Sequence, residues 1–186
     1  MSHYRKIDVR IWNDAKFQSL PDGGKLAFLM LLTHPMMTAL GAMRGTPDGL
    51  AAELGTDPKA FREAFRDILA KGMAEHDEKA CLIALPNFLK YNSPESPNVV
   101  RGWAKVPDFL PECPLKTLVI QRAVAFAKGM SKAFAEAIPE DLPLSESREQ
   151  RTEILPNQGG NLSRRGTTGG KRLALVKGAA NGGEGF

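Results

Sequence analysis

The sequence predicts an α+β fold, and three observations carry that expectation. Two helix starts lie close together: Thr46-Pro47 opens one short segment, and Asp57-Pro58 opens another just after Gly55. Thr or Asp accepts hydrogen bonds from the free amides of a first turn, Pro fits its first position, and Gly takes the left-handed conformation that ends a helix. After Gly72 the period changes. Met73-Ala74-Glu75-His76 and Cys81-Leu82-Ile83-Ala84-Leu85 flank the polar run Asp77-Glu78-Lys79-Ala80, as the strands of a β-hairpin would. With a helix and a short strand ahead of these, the order is helix, strand, helix, tight turn, helix, hairpin, which is that of a winged helix-turn-helix.

The elements follow in sequence. Ile7, Val9 and Ile11 alternate with Asp8 and Arg10, the period of a strand, and Trp12-Asn13-Asp14 reads as a turn. Pro21-Asp22 starts a helix whose apolar run from Leu26 to Leu32 is nearly continuous, so burial on most sides is expected. Gly23 and Gly24 weaken it by about 1 kcal/mol each relative to Ala, and His34-Pro35 ends it. Leu40 to Arg44 reads as a short strand. Thr46 caps a helix that Gly55 terminates, and Asp57 caps the next, through Lys71. In that second helix Phe61, Phe65, Ile68 and Leu69 stand at i, i+4, i+7 and i+8 and form one apolar face.

Prolines at 94, 97, 107, 111 and 114 restrict the following stretch to short helical turns, over Val99 to Val106. A long helix is expected from Leu115 to Ile138, with Leu118, Val119, Arg122, Phe126, Met130, Phe134 and Ile138 near one row and Gly129 as a weak point. That face must pack on the domain itself or on a second copy of the chain, a homodimer. Beyond Ile138 the composition turns to Pro, Ser, Gly and Asn, which cannot bury enough apolar surface to offset ordering entropy. The expected organisation is therefore a winged helix-turn-helix domain over 1–92, a Pro-rich connector and C-terminal helix over 93–138, and a disordered tail over 139–186. Within the tail, Lys171-Arg172-Leu173-Ala174-Leu175-Val176-Lys177 places an apolar centre between basic residues, as in a peptide that docks on a partner.

In this architecture the helix before the hairpin commonly enters the major groove of DNA. Here Lys59, Arg62 and Arg66 lie at i, i+3 and i+7, on one stripe away from the apolar face. Arginine pairs with guanine edges or phosphates, and lysine mainly with phosphates. The expected DNA-binding residues are Lys59 and Arg62 at bases, with Arg66 and Thr56 at phosphates. The hairpin turn, Asp77-Glu78-Lys79, is acidic on balance, which disfavours its insertion against a phosphate backbone.

Composition narrows the function classes. Hydrophobic residues at 42% and charged residues at 25% suit a globular protein with a core, and a net charge of +4 permits a polyanionic partner. Cys81 and Cys113 lie far apart, and His3, His34 and His76 are scattered, so neither a disulfide framework nor a metal site is expected. No run of about 18 apolar residues suggests a membrane span, and the N-terminus lacks the apolar centre of a signal peptide, which points to the cytoplasm. Gly169-Gly170-Lys171-Arg172 ends like a phosphate-binding loop, but Arg165 stands where the first glycine is needed and Arg172 where Ser or Thr is needed. No nucleophile and base arrangement is legible, so neither an enzyme nor a cofactor is expected.

The stretch Tyr4-Arg5-Lys6-Ile7-Asp8-Val9-Arg10-Ile11-Trp12-Asn13-Asp14 resembles the opening of small phage and prophage replication initiation proteins, which are replisome organiser-like and carry an N-terminal winged helix. The similarity continues through Pro86-Asn87-Phe88-Leu89-Lys90-Tyr91-Asn92, Pro94-Glu95-Ser96-Pro97-Asn98-Val99-Val100 and Trp103-Ala104-Lys105, so it spans roughly residues 4–120. It implies binding to double-stranded DNA at an origin or junction in the cytoplasm of a bacterial host, with recruitment of a replicative helicase or its loader. It carries no catalytic residues. A winged-helix transcriptional regulator and a protein–protein adaptor that binds no DNA are the alternatives, since a fold does not fix a function.

Overall fold

The computed structural model describes residues 5–143 of the 186-residue chain. Its first element is a 3-10 turn over Val9–Asn13 rather than the expected strand. The reason is local. The Asp8 carboxylate accepts from the Arg10 amide (2.9 Å) and grips the Arg10 guanidinium (2.6 Å), which closes the backbone into a turn. That pairing holds the Asp8 carboxyl down at about 2. Alternation over five residues fixes a strand only where another strand lies alongside, and among the described residues none pairs here. Asp14 then caps α1 (Ala15–Gln18) by accepting from the Phe17 amide at 3.0 Å.

Helix α2 (Asp22–Thr33) buries Ala27 and Leu31 completely. Phe28, Leu29, Met30 and Leu32 are only half-buried and Leu26 is exposed, so the helix is less enclosed than its apolar run suggested. After His34 the chain turns into β1 (Ala42–Arg44). Helix α3 (Pro47–Leu54) and helix α4 (Pro58–Ala70) follow, then β2 (Glu75–Asp77) and β3 (Leu82–Ala84). The three strands form one antiparallel sheet in the order β1-β3-β2, with Met43 opposite Ile83 and Ile83 opposite His76. Leu82, Ile83 and Ala84 are all buried, so the central strand is covered on both faces. The fold is thus α+β, with a small three-stranded sheet.

The remainder is helical. Short helices α5 (Phe88–Tyr91) and α6 (Pro97–Arg101) lead through 3-10 turns over Gly102–Lys105 and Pro107–Phe109 to α7 (Pro114–Lys128) and α8 (Lys132–Glu136). The single long helix expected over 115–138 is therefore two. Gly129 ends the first, and extended Ser131 (φ −152°) precedes the second. The buried face of α7 is also shifted from the expected row. Val119, Ile120, Ala123, Val124 and Ala127 are inside, whereas Leu118 and Met130 are partly exposed. These residues join the same core as Phe17, Leu31, Phe65 and Ile83, and α7 packs on β3. Leu142, four residues into the expected tail, is buried in this core as well. Residues 144–186, including the 171–177 segment, lie outside the described residues.

Two buried polar side chains are satisfied. Lys116 donates to the Leu110 carbonyl (3.3 Å) and to Glu112. His34 Nδ1 accepts from the Met36 amide (3.1 Å), so its Nε2 carries the proton toward Glu53 of α3 at 2.8 Å. Among the described residues no helix is long and apolar enough to cross a membrane.

Candidate nucleic-acid interface

The α3–α4 junction is built from local chemistry. Thr46 Oγ1 accepts from the Gly49 amide at 3.1 Å and Pro47 occupies the first turn. Gly55 then adopts φ 69°, ψ 31°, and the Thr56 amide reaches back to the Ala51 carbonyl at 3.0 Å. A left-handed residue followed by such a backward bond satisfies the last carbonyls of a helix and redirects the chain. Asp57 restarts it, its carboxylate accepting from the Ala60 amide at 2.8 Å. Each cap contributes about 1 kcal/mol. Asp57→Ala is expected to lower stability by that amount and to fray the first turn of α4, read as faster amide exchange at Ala60 and Phe61.

One face of α4 is fixed by burial. Phe61, Ala64, Phe65 and Ile68 are in the core, with the Phe61 and Phe65 rings 6.2 Å apart. Each fully buried large side chain contributes roughly 1.5–3 kcal/mol, so the helix cannot rotate without losing several of them. The opposite face is therefore presented to solvent. Lys59, Arg62 and Arg66 all lie on it and are exposed. The helix brings these three together. Thr56 stands apart at the turn, half-buried, with its amide engaged in the cap of α3.

One feature of this surface lay beyond sequence reasoning. Arg62 forms an ion pair with Asp48 in the first turn of α3, so its guanidinium ties the two helices together. Glu63 and Asp67 are exposed on α4 as well, which makes the face mixed in charge. Across the described residues, 18 Lys and Arg stand against 17 Asp and Glu, so most of the chain's net +4 belongs to residues 144–186. No general field draws a polyanion to the described domain, and any attraction must come from local placement.

The hairpin beside α4 is braced from outside. Arg122 of α7 makes a two-pronged ion pair with Glu75 of β2 (2.5 and 2.9 Å), and this raises the pKa of Arg122. The turn is closed by Asp77, which accepts from the Ala80 amide at 3.0 Å, and leaves Glu78 and Lys79 exposed at the tip. The 47-residue separation of Arg122 and Glu75 left no sequence signal for this pair. Arg122→Ala is expected to cost about 1 kcal/mol, as a paired but partly exposed bridge would. Its mark would be earlier amide exchange in β2 than in β1.

His76 of β2 presents its ring to Phe65 of α4, edge-on at 5.4 Å, and its Nε2 is buried without a hydrogen-bond partner among the described residues. Desolvation lowers its pKa, against smaller opposing effects of Glu78 and Asp77. The unfolded chain therefore binds this proton more readily than the folded one. The His76 contribution is complete above about pH 6.5 and declines as pH falls below it, by at most about 1.4 kcal/mol per pH unit. Denaturant midpoints between pH 7 and 5 are expected to fall less in His76→Gln than in the unmodified chain, and parallel curves would show that His76 is not the group responsible.

No protein-family model, curated protein or solved structure matches this chain.

Proposed function

We propose that the segment from α2 through β3 is a winged helix-turn-helix, and that the chain is a non-enzymatic DNA-binding protein of phage-type replication initiation. In this reading α4 lies in the major groove of duplex DNA, and the bound protein recruits a replicative helicase or its loader. The observation that carries it is the α4 surface: Lys59, Arg62 and Arg66 exposed in one stripe on a helix whose other face is locked in the core. The α2-β1-α3-α4-β2-β3 order and the β1-β3-β2 sheet support the fold assignment. The replication role rests on the resemblance of the 4–14 and 86–100 segments.

Lys59 and Arg62 are assigned to bases, and Arg66 and Thr56 to phosphates. Arg62 must then exchange Asp48 for a base edge. Exposed ion pairs are worth about 0–1 kcal/mol, so this exchange is a small cost. The test is duplex binding by the full chain across a salt series. Steep weakening with salt is the expected result, and no affinity at low salt would end the proposal. Binding confined to one duplex sequence beside the chain's own promoter would move the role to transcriptional regulation.

A second reading, a protein–protein adaptor, is favoured by one observation: Asp77 and Glu78 against the single Lys79 leave the hairpin turn acidic. Salt-insensitive binding to a helicase or loader, without DNA affinity, would select it.

A further inference from the structure

A cleft of about 400 Å³ opens between the N-terminal segment, α1, α2 and α5, away from the α4 stripe. This size suits a small organic ligand. Half-buried Phe28 and partly exposed Tyr91 give its wall aromatic surface, with Phe17 and Phe88 packed behind them in the core. Aromatic faces and edges accept a flat π-system well.

The polar groups around this wall differ in whether they are engaged. Asp8 is held by Arg10, and Asp14 caps α1. Arg10 is bound to Asp8 and also lies over the Tyr91 ring at 5.9 Å, and Lys6 pairs with Glu95 at 2.5 Å. Both carboxylates and two of the three cations thus have partners inside the fold. Lys16 has no ion pair or hydrogen bond from its ammonium among the described residues, and that group reaches toward Gly72, at the opposite wall. Asn13, Asn87 and Asn92 also line the cleft, and none of their carboxamides is hydrogen-bonded within the described residues. A carboxamide holds a donor beside an acceptor, the pattern that pairs with the edge of a nucleobase.

We propose that this cleft binds an unpaired nucleobase together with its phosphate: the base against Phe28 and Tyr91, its edge read by the asparagines, and the phosphate held by Lys16. The site shares no residue with α4 and does not depend on duplex binding there.

The test uses the full chain and the fluorescence of Trp12, which is exposed and packs edge-on against Phe17 at 5.4 Å. The probes are dAMP and TMP, ribose 5-phosphate as a ligand without a base, and a short oligothymidylate. Saturable quenching by a mononucleotide is expected, with ribose 5-phosphate at least about tenfold weaker. Lys16→Ala and Asn87→Ala should each weaken nucleotide binding about five- to tenfold, the loss of one good hydrogen bond. Both side chains lack internal polar partners, so an unchanged circular dichroism spectrum is expected alongside. Replacing Lys59, Arg62 and Arg66 together should leave nucleotide binding intact, which separates this site from the duplex reading.

An oligothymidylate that binds more tightly than TMP identifies the source as a single strand, and equal affinities identify a free nucleotide. Either supports the site. No saturation at about 10 mM, far weaker than an ordinary ligand affinity, would overturn it. So would equal binding of ribose 5-phosphate, unchanged affinity in Lys16→Ala, or loss of nucleotide binding in the α4 variant.

Discussion

Replacing Lys59, Arg62 and Arg66 together by alanine is expected to lower duplex affinity on the order of a hundredfold near physiological salt, and to flatten the salt dependence. The estimate combines two effects. Loss of the Arg66 phosphate contact removes about 0.9 from the slope of log affinity against log salt, and loss of the Lys59 and Arg62 base contacts costs about 1–3 kcal/mol each. The three side chains are exposed, and none fills the core. Stability should therefore change little, apart from the Arg62–Asp48 bridge. That bridge separates the roles of the residues. Arg62→Ala frees the Asp48 carboxylate beside the groove as well as deleting a cation, so it should cost more affinity than Lys59→Ala. Asp48→Ala should strengthen binding, because it releases Arg62 and removes a negative charge. Full duplex affinity in the triple variant would place the DNA surface elsewhere, with Arg5, Lys6 and Arg10 the next candidates.

How far this surface was legible follows from the range of the interactions that make it. The caps at Thr46 and Asp57 act within three residues, and the buried face of α4 follows from a period of 3.6, so both could be seen in the sequence. Exposure of the cation stripe came with them, because a helix with one face buried must present the other. The N-terminal strand failed for the complementary reason: its alternation was real, but a strand exists only through a partner, and Asp8 closed a local turn instead. The split between α7 and α8 was signalled by Gly129, yet its consequence, an exposed Leu118 and a buried Ala123, depended on where β3 lies. The Arg62–Asp48 and Arg122–Glu75 pairs span 14 and 47 residues, and only the folded chain brings them together. The cleft beside α5 is the extreme case, assembled from segments between Lys6 and Asn92.

The largest expected effect on stability belongs to Gly41. Its φ is +75°, and it closes the turn into β1, its amide donating to the Thr38 carbonyl at 3.1 Å while its carbonyl accepts from the Leu85 amide at 2.8 Å. The second bond ties the turn before β1 to the chain leaving β3. A Cβ here would stand 2.3 Å from the Cβ of Phe88, which is itself buried. Gly41→Ala therefore combines about 1–2 kcal/mol of left-handed backbone strain with about 1–3 kcal/mol of overpacking. Against a typical domain stability of about 5–15 kcal/mol, this is a large fraction. Gly55 supplies the internal control. It has nearly the same φ, +69°, but a Cβ there meets nothing within 4 Å. Gly55→Ala should cost only the backbone part, about 1–2 kcal/mol, with its surroundings undisturbed. Urea denaturation of the two variants reads the difference directly. A Gly41 variant less stable than the Gly55 variant by about 1–3 kcal/mol would measure the close approach to Phe88. Equal losses would mean that Phe88 yields freely, and that α5 packs loosely against the turn before β1, with the cleft beside it.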